Sequence, residues 1–108
     1  MPISNKPWGS ISESDYKDAE QFCKACLIDM NEPGKPKVKD ACKLPVREPG
    51  GALNRNAVHA AAAALAGARG GVQAPLAEKR KAARKLIALY RELKEEPPES
   101  IKKLAGAK

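Results

Sequence analysis

Three cysteines and a single histidine are the first residues to weigh, because they are the side chains here that could ligate a metal or act as a nucleophile. Cys23 and Cys26 form a Cys-x-x-Cys pair, followed by Cys42 and His59. Together they would supply the four soft donors of a structural zinc site, which usually come as two close pairs. Only one close pair exists, and Cys42 and His59 stand singly and far apart. Cys23 and Cys26 also fall on the apolar stripe of a predicted helix, where cysteine behaves as a small hydrophobe. The set Cys23, Cys26, Cys42 and His59 is therefore read as buried thiols and a helix histidine, and no metal or other cofactor is expected. A Cys–His nucleophilic pair lacks any recognisable local context, so no catalytic residue is assigned.

The run Gly67-Ala68-Arg69-Gly70-Gly71 is glycine-rich and carries an arginine. It lacks the Lys-Ser/Thr ending of a Walker loop and follows no convincing strand, which argues against nucleotide hydrolysis. It reads either as a helix stop or as a turn that brings Arg69 beside a phosphate.

The strongest pattern is basic. Lys79, Arg80, Lys81, Arg84 and Lys85 crowd the first half of a predicted helix, with Arg55 and Arg69 as neighbours. Cations four residues apart share a helix face at a spacing suited to phosphates. Such contacts hold DNA without reading its sequence. The distribution of charge supports this reading. The 108 residues carry 20 Lys+Arg against 13 Asp+Glu, a net +7. Residues 1–50 are balanced, so the whole excess lies in residues 51–108. One-sided charge fits a phosphate-bearing or otherwise acidic partner, and it also fits a solvated helix face.

These residues need helices to position them. Ser12 or Ser14 is expected to cap a first helix whose apolar stripe is Tyr16, Ala19, Cys23, Cys26 and Leu27. Residues 26–30 and 41–46, separated by the turn formers Asn31-Glu32-Pro33-Gly34, admit a small hairpin, with Pro45 confining its strand to an edge. Asn54 is expected to cap a second helix over 55–68. Pro75 opens a third, over about 75–94, stopped by Glu95-Glu96-Pro97-Pro98. Ser100 is expected to cap a short last turn to Leu104. Trp8 in the lead-in is read as a core plug.

The expected fold class is thus mainly α: about three helices, with a small two-stranded hairpin between the first and second. The expected organisation is a loosely ordered lead-in at 1–11, one helical domain at 12–104 and a tail at 105–108. The absence of an apolar N-terminal run or a long apolar span predicts no membrane association, and the odd cysteine count fits a reducing cytoplasm.

Several segments together resemble a known kind of domain. They are Pro7-Trp8-Gly9-Ser10, Leu44-Pro45-Val46-Arg47-Glu48-Pro49, Leu53-Asn54-Arg55-Asn56-Ala57-Val58-His59-Ala60-Ala61-Ala62 and Lys79-Arg80-Lys81-Ala82-Ala83-Arg84-Lys85-Leu86. The chain resembles, over residues 7–98, a small uncharacterised domain of phage-derived structural proteins of the prohead-protease type and of proteins related to ATP-dependent DNA ligases. The resemblance implies an accessory module beside a catalytic or structural domain in the same polypeptide or operon, without an active site of its own. It would be the non-catalytic terminal domain if the parent is ligase-like. The leading expectation is a DNA-binding accessory module of a DNA ligase-related or phage-derived protein. The alternative is a protein-interaction module of a phage-type structural assembly that does not bind DNA.

Overall fold

The computed structural model describes residues 3–67, 71–72 and 74–106. The chain gathers into two compact units, Met1–Ala57 and Val58–Lys108.

In the first unit, strand β1 (Ile3–Ser4) pairs in parallel with β4 (Leu53–Asn54), so the start of the chain is tied to residues some 50 positions later. Helix α1 (Ala19–Ala25) begins at Asp18, whose carboxylate accepts the Gln21 amide at 2.9 Å. Ser12 instead serves a local turn, its amide donating to the Asp15 carboxylate at 2.9 Å. Among the described residues, that turn is one of three short 3-10 segments, at Trp8–Ser10, Glu13–Asp15 and Lys39–Ala41. At Cys26 the backbone turns extended and α1 runs straight into β2 (Cys26–Asp29). β2 pairs antiparallel with β3 (Cys42–Pro45), in the register Cys26↔Pro45, Ile28↔Lys43 and Asp29↔Cys42. This is the hairpin expected from the turn formers between them.

Tyr16, Phe22, Cys23, Ala25 and Cys42 form a buried cluster against which Ile11 and Cys26 pack. The Tyr16 and Phe22 rings meet edge to face, with centroids 5.1 Å apart. Burial pushes the Tyr16 phenol up to about 12, so it remains a donor, and it donates to the Arg47 carbonyl. Cys23 and Cys42 are joined as a disulfide, with Cα atoms 5.4 Å apart, which lies within the reach of that bond. The expectation of unpaired thiols from an odd cysteine count is corrected accordingly. The spacing of 19 residues hides a proximity that the α1–β2–β3 turn creates. A loop of that size, closed covalently, stabilises the fold by about 3 kcal/mol in the chain-entropy account. Cys26 is not part of the bond.

Helix α2 (Arg55–Leu65) follows β4 directly and buries Ala57, Val58, Ala61, Ala62 and Leu65. Gly67 just beyond it takes a φ of 108°, a left-handed value that glycine adopts at little cost. The second unit holds the rest of α2, α3 (Leu76–Glu92) and α4 (Glu99–Leu104). α3 stops in a Schellman turn. The Glu95 amide donates to the Tyr90 carbonyl at 2.9 Å and the Lys94 amide to the Arg91 carbonyl at 3.0 Å. Lys94 takes the left-handed position at φ 60°, where glycine is usual. α4 starts after Pro98 without a side-chain cap, so Ser100 lies inside the helix rather than before it.

The described residues therefore hold four α-helices and two separate two-stranded sheets, and the mainly α expectation gives way to a mixed α/β architecture. The strands are two to four residues long, too short to show an alternating pattern in sequence. No described helix is long and apolar enough to cross a membrane.

Candidate nucleic-acid interface

α3 owes its helicity to a composition of alanine, leucine, lysine, arginine and glutamate behind a leading proline. Its buried face is Ala82, Ala83, Leu86, Leu89 and Tyr90, continued by Leu93. At 3.6 residues per turn, the opposite face carries Arg80, Lys81, Arg84 and Lys85, and all four are exposed. Arg91, two turns beyond Arg84, is exposed on that same face. The charge run drew the sequence reading to the first half of the helix, and Arg91 was missed because it stands apart from the run. Stepping two turns on from Arg84, at i, i+7, would have found it. Lys79 does not join the set. It falls on the side of Ala82, Ala83 and Leu86 and is half-buried.

The helix carries six cations against two carboxylates, Glu78 and Glu92. Glu78 lies 3.7 Å from Lys81, an exposed pair worth little in water. Arg84 is held in place, since its Nε donates to the Ala105 carbonyl at 3.0 Å, at the C-terminal end of α4. A cation there satisfies an orphan carbonyl and meets the negative end of the helix dipole. Leu76, Ala77, Arg80, Lys81 and Arg84 line a shallow concavity of about 430 Å³ along this surface. Leu76 remains 56% exposed at its edge.

The two neighbours named from sequence behave differently. Arg55 belongs to the first unit, where its Nε donates to the Asn5 side-chain carbonyl at 2.8 Å and helps hold the N-terminal segment. Arg69 and Gly70 lie outside the described residues.

The four residues weighed as zinc ligands also separate. Cys23 and Cys42 are bonded to each other, while Cys26 starts β2. His59, in the second unit, meets Glu95 through Nε2 at 2.7 Å and stacks on Tyr90 with centroids 5.9 Å apart. His59 thus has a packing role, and nothing among the described residues indicates catalysis. Asp29 and Asn31, which the sequence reading passed over, lie beside the Cys23–Cys42 bond.

No protein-family model, curated protein or solved structure matches the chain.

Proposed function

We propose that this chain is a DNA-binding accessory module that grips backbone phosphates through the outward face of α3. The observation that carries the reading is the placement of Arg80, Lys81, Arg84, Lys85 and Arg91 along one exposed face, with the opposite face buried. A face of this kind neutralises phosphates and releases their counterions, so affinity falls as salt rises. These cations are read as phosphate contacts, which position DNA without carrying sequence information, so the binding proposed is independent of sequence. The accessory role, beside a catalytic or structural domain of a ligase-related or phage-derived protein, rests on the resemblance of the sequence segments alone.

Gel-shift or anisotropy titration of duplex DNA at low and moderate salt tests the reading. The wild-type chain is expected to bind at low salt and to weaken steeply as salt rises. The double variant Arg80→Glu/Lys85→Glu, which spares the anchored Arg84, is expected to lose binding while keeping its helical circular dichroism. Absence of binding by the wild type at low salt would end the proposal.

One observation favours a second reading. Leu76 lies exposed in the concavity between the basic side chains, which suits an acidic protein partner with an apolar anchor. Stoichiometric binding of such a partner, without DNA affinity, would select it.

A further inference from the structure

The richest arrangement of chemical groups outside the basic face surrounds the Cys23–Cys42 bond. One ligand atom each from Cys23, Cys42 and Asp29 lies within 4.8 Å of the other two. At their centre stands the side-chain amide nitrogen of Asn31. It lies 2.8 Å from Asp29 Oδ1, 3.3 Å from Cys42 Sγ, 3.5 Å from Cys23 Sγ and 3.3 Å from the Val38 carbonyl oxygen. Two sulfurs and two oxygens thus converge on one partially positive group. The amide is aimed there by its other end, since Asn31 Oδ1 accepts the Val38 amide at 2.8 Å.

We propose that Cys23, Cys42 and Asp29 form a redox-gated site for a thiophilic divalent cation of the zinc class, entering where the Asn31 amide nitrogen now sits. In the disulfide state the sulfurs are poor ligands and the amide fills the space. A dithiol reductant breaks the S–S bond, passing two electrons and two protons to the sulfurs and leaving as its own disulfide. Entry of the cation then displaces the two thiol protons, giving two thiolates and a carboxylate around the metal. The Val38 carbonyl or a water supplies the fourth donor. The sulfurs must separate to about 3.8 Å to sit at tetrahedral corners around bonds of about 2.3 Å. Cys42 opens β3 directly after the 3-10 turn Lys39–Ala41, and the separation is taken up there and in the side-chain rotamers of the two cysteines. Reoxidation by a small disulfide reverses both steps and expels the ion.

The surroundings of Asp29 suit the role. Its Oδ2 is held by Lys37, while Oδ1 accepts the Asn31 backbone amide at 3.0 Å and the Asn31 side-chain amide at 2.8 Å, so displacement of the side-chain amide opens a lone pair of Oδ1 to the cation. Such outer contacts orient a metal-binding carboxylate. The donor set differs from the one weighed from sequence, since Asp29 takes a place there and Cys26 and His59 have none.

The test is titration of the full chain with Co²⁺, whose thiolate complexes absorb strongly, after reduction by a phosphine and anaerobic desalting. The reduced wild type is expected to bind one equivalent with a sulfur-to-cobalt band that Zn²⁺ displaces, and the oxidised wild type none. Cys42→Ser is expected to abolish the band and Asp29→Asn to weaken binding about tenfold or more. Cys26→Ala should leave it unchanged, and Asn31→Ala should tighten it. Circular dichroism of the reduced chain, with and without metal, reports folding alongside. No cobalt band in the reduced wild type, whether folded or not, overturns the proposal. So does a band that survives Cys42→Ser or disappears with Cys26→Ala.

Discussion

Asn54 Nδ2 donates to the Glu48 carboxylate at 2.9 Å from a position with no solvent exposure at all. The same nitrogen reaches the Lys6 carbonyl at 3.2 Å, and Asn54 Oδ1 accepts the Ala57 amide at 2.8 Å. One side chain therefore caps α2, anchors the N-terminal segment and holds the 46–53 turn. Buried polar atoms are tolerated when satisfied in this way and costly when orphaned.

Replacing Asn54 by Ala is expected to destabilise the fold by about 2 kcal/mol, combining a lost cap with two lost hydrogen bonds to Glu48 and Lys6, which keep those from Ser4 and Asn56. Asn54→Asp should be at least as harmful. It keeps the cap acceptor but sets a carboxylate against Glu48. Urea denaturation followed by circular dichroism checks both, and a loss below about 0.5 kcal/mol for the alanine variant would refute the account.

Acid should loosen the first unit. The Ser4 and Asn54 hydrogen bonds hold the Glu48 carboxyl below its ordinary value of 4.5, partial desolvation notwithstanding. Asp29 is likewise lowered below 3.8. A depressed folded-state value favours the native chain at pH above the unfolded value, and the benefit fades as pH falls through the folded one. Urea midpoints should therefore be flat from pH 7 to about 5 and drop below about pH 4.5. Glu48→Gln should show a shallower drop, and an unchanged acid slope in that variant would count against the assignment.

On the basic face, Arg91 should matter and Lys79 should not. Arg91→Ala is expected to weaken DNA binding about twofold to tenfold and to reduce the slope of log affinity against log salt by about one. Lys79→Ala should leave that slope unchanged. Equal effects of the two substitutions in anisotropy titrations would show that the exposed face of α3 is not the contact surface.

Lys94→Gly should stabilise the protein. Lys94 closes the α3 Schellman turn at φ 60°, a conformation that costs a residue with a Cβ about 1 kcal/mol or more. Glycine removes that cost and returns part of it as chain entropy, for a net gain of about 0.5–1 kcal/mol. A thermal melt with Tm lowered rather than raised would contradict this reading.

The sequence made some of this architecture legible and hid the rest for physical reasons. Local signals worked. Asn54 before an alanine-rich run marked the start of α2, Pro75 marked α3, and the Asn31–Gly34 turn formers marked the hairpin. The basic face was readable because a helix converts spacing into sides. Asp18 prevailed over Ser12 and Ser14 as the α1 cap because Ser12 is engaged with Asp15 and Ser14. The pairing of β1 with β4 left no trace in sequence, since two-residue strands have no period and their partners lie 50 positions apart. The Cys23–Cys42–Asp29 grouping was equally hidden. It is assembled by a helix turning into a strand, an event no spacing rule encodes.

The parallel pairing of Ile3–Ser4 with Leu53–Asn54 also sets an order of events during synthesis. A chain emerging from the ribosome can form α1 and the adjoining hairpin early, because their contacts are local. The seam that closes the first unit must wait for residues 53–57, when Asn54 can finally meet Lys6 and Glu48. Loop-closure entropy makes that late, distant step the slow one, whereas the α3–α4 packing forms between near neighbours in sequence. A nascent chain halted before residue 53 would therefore expose the buried side of its first unit to chaperones and proteases.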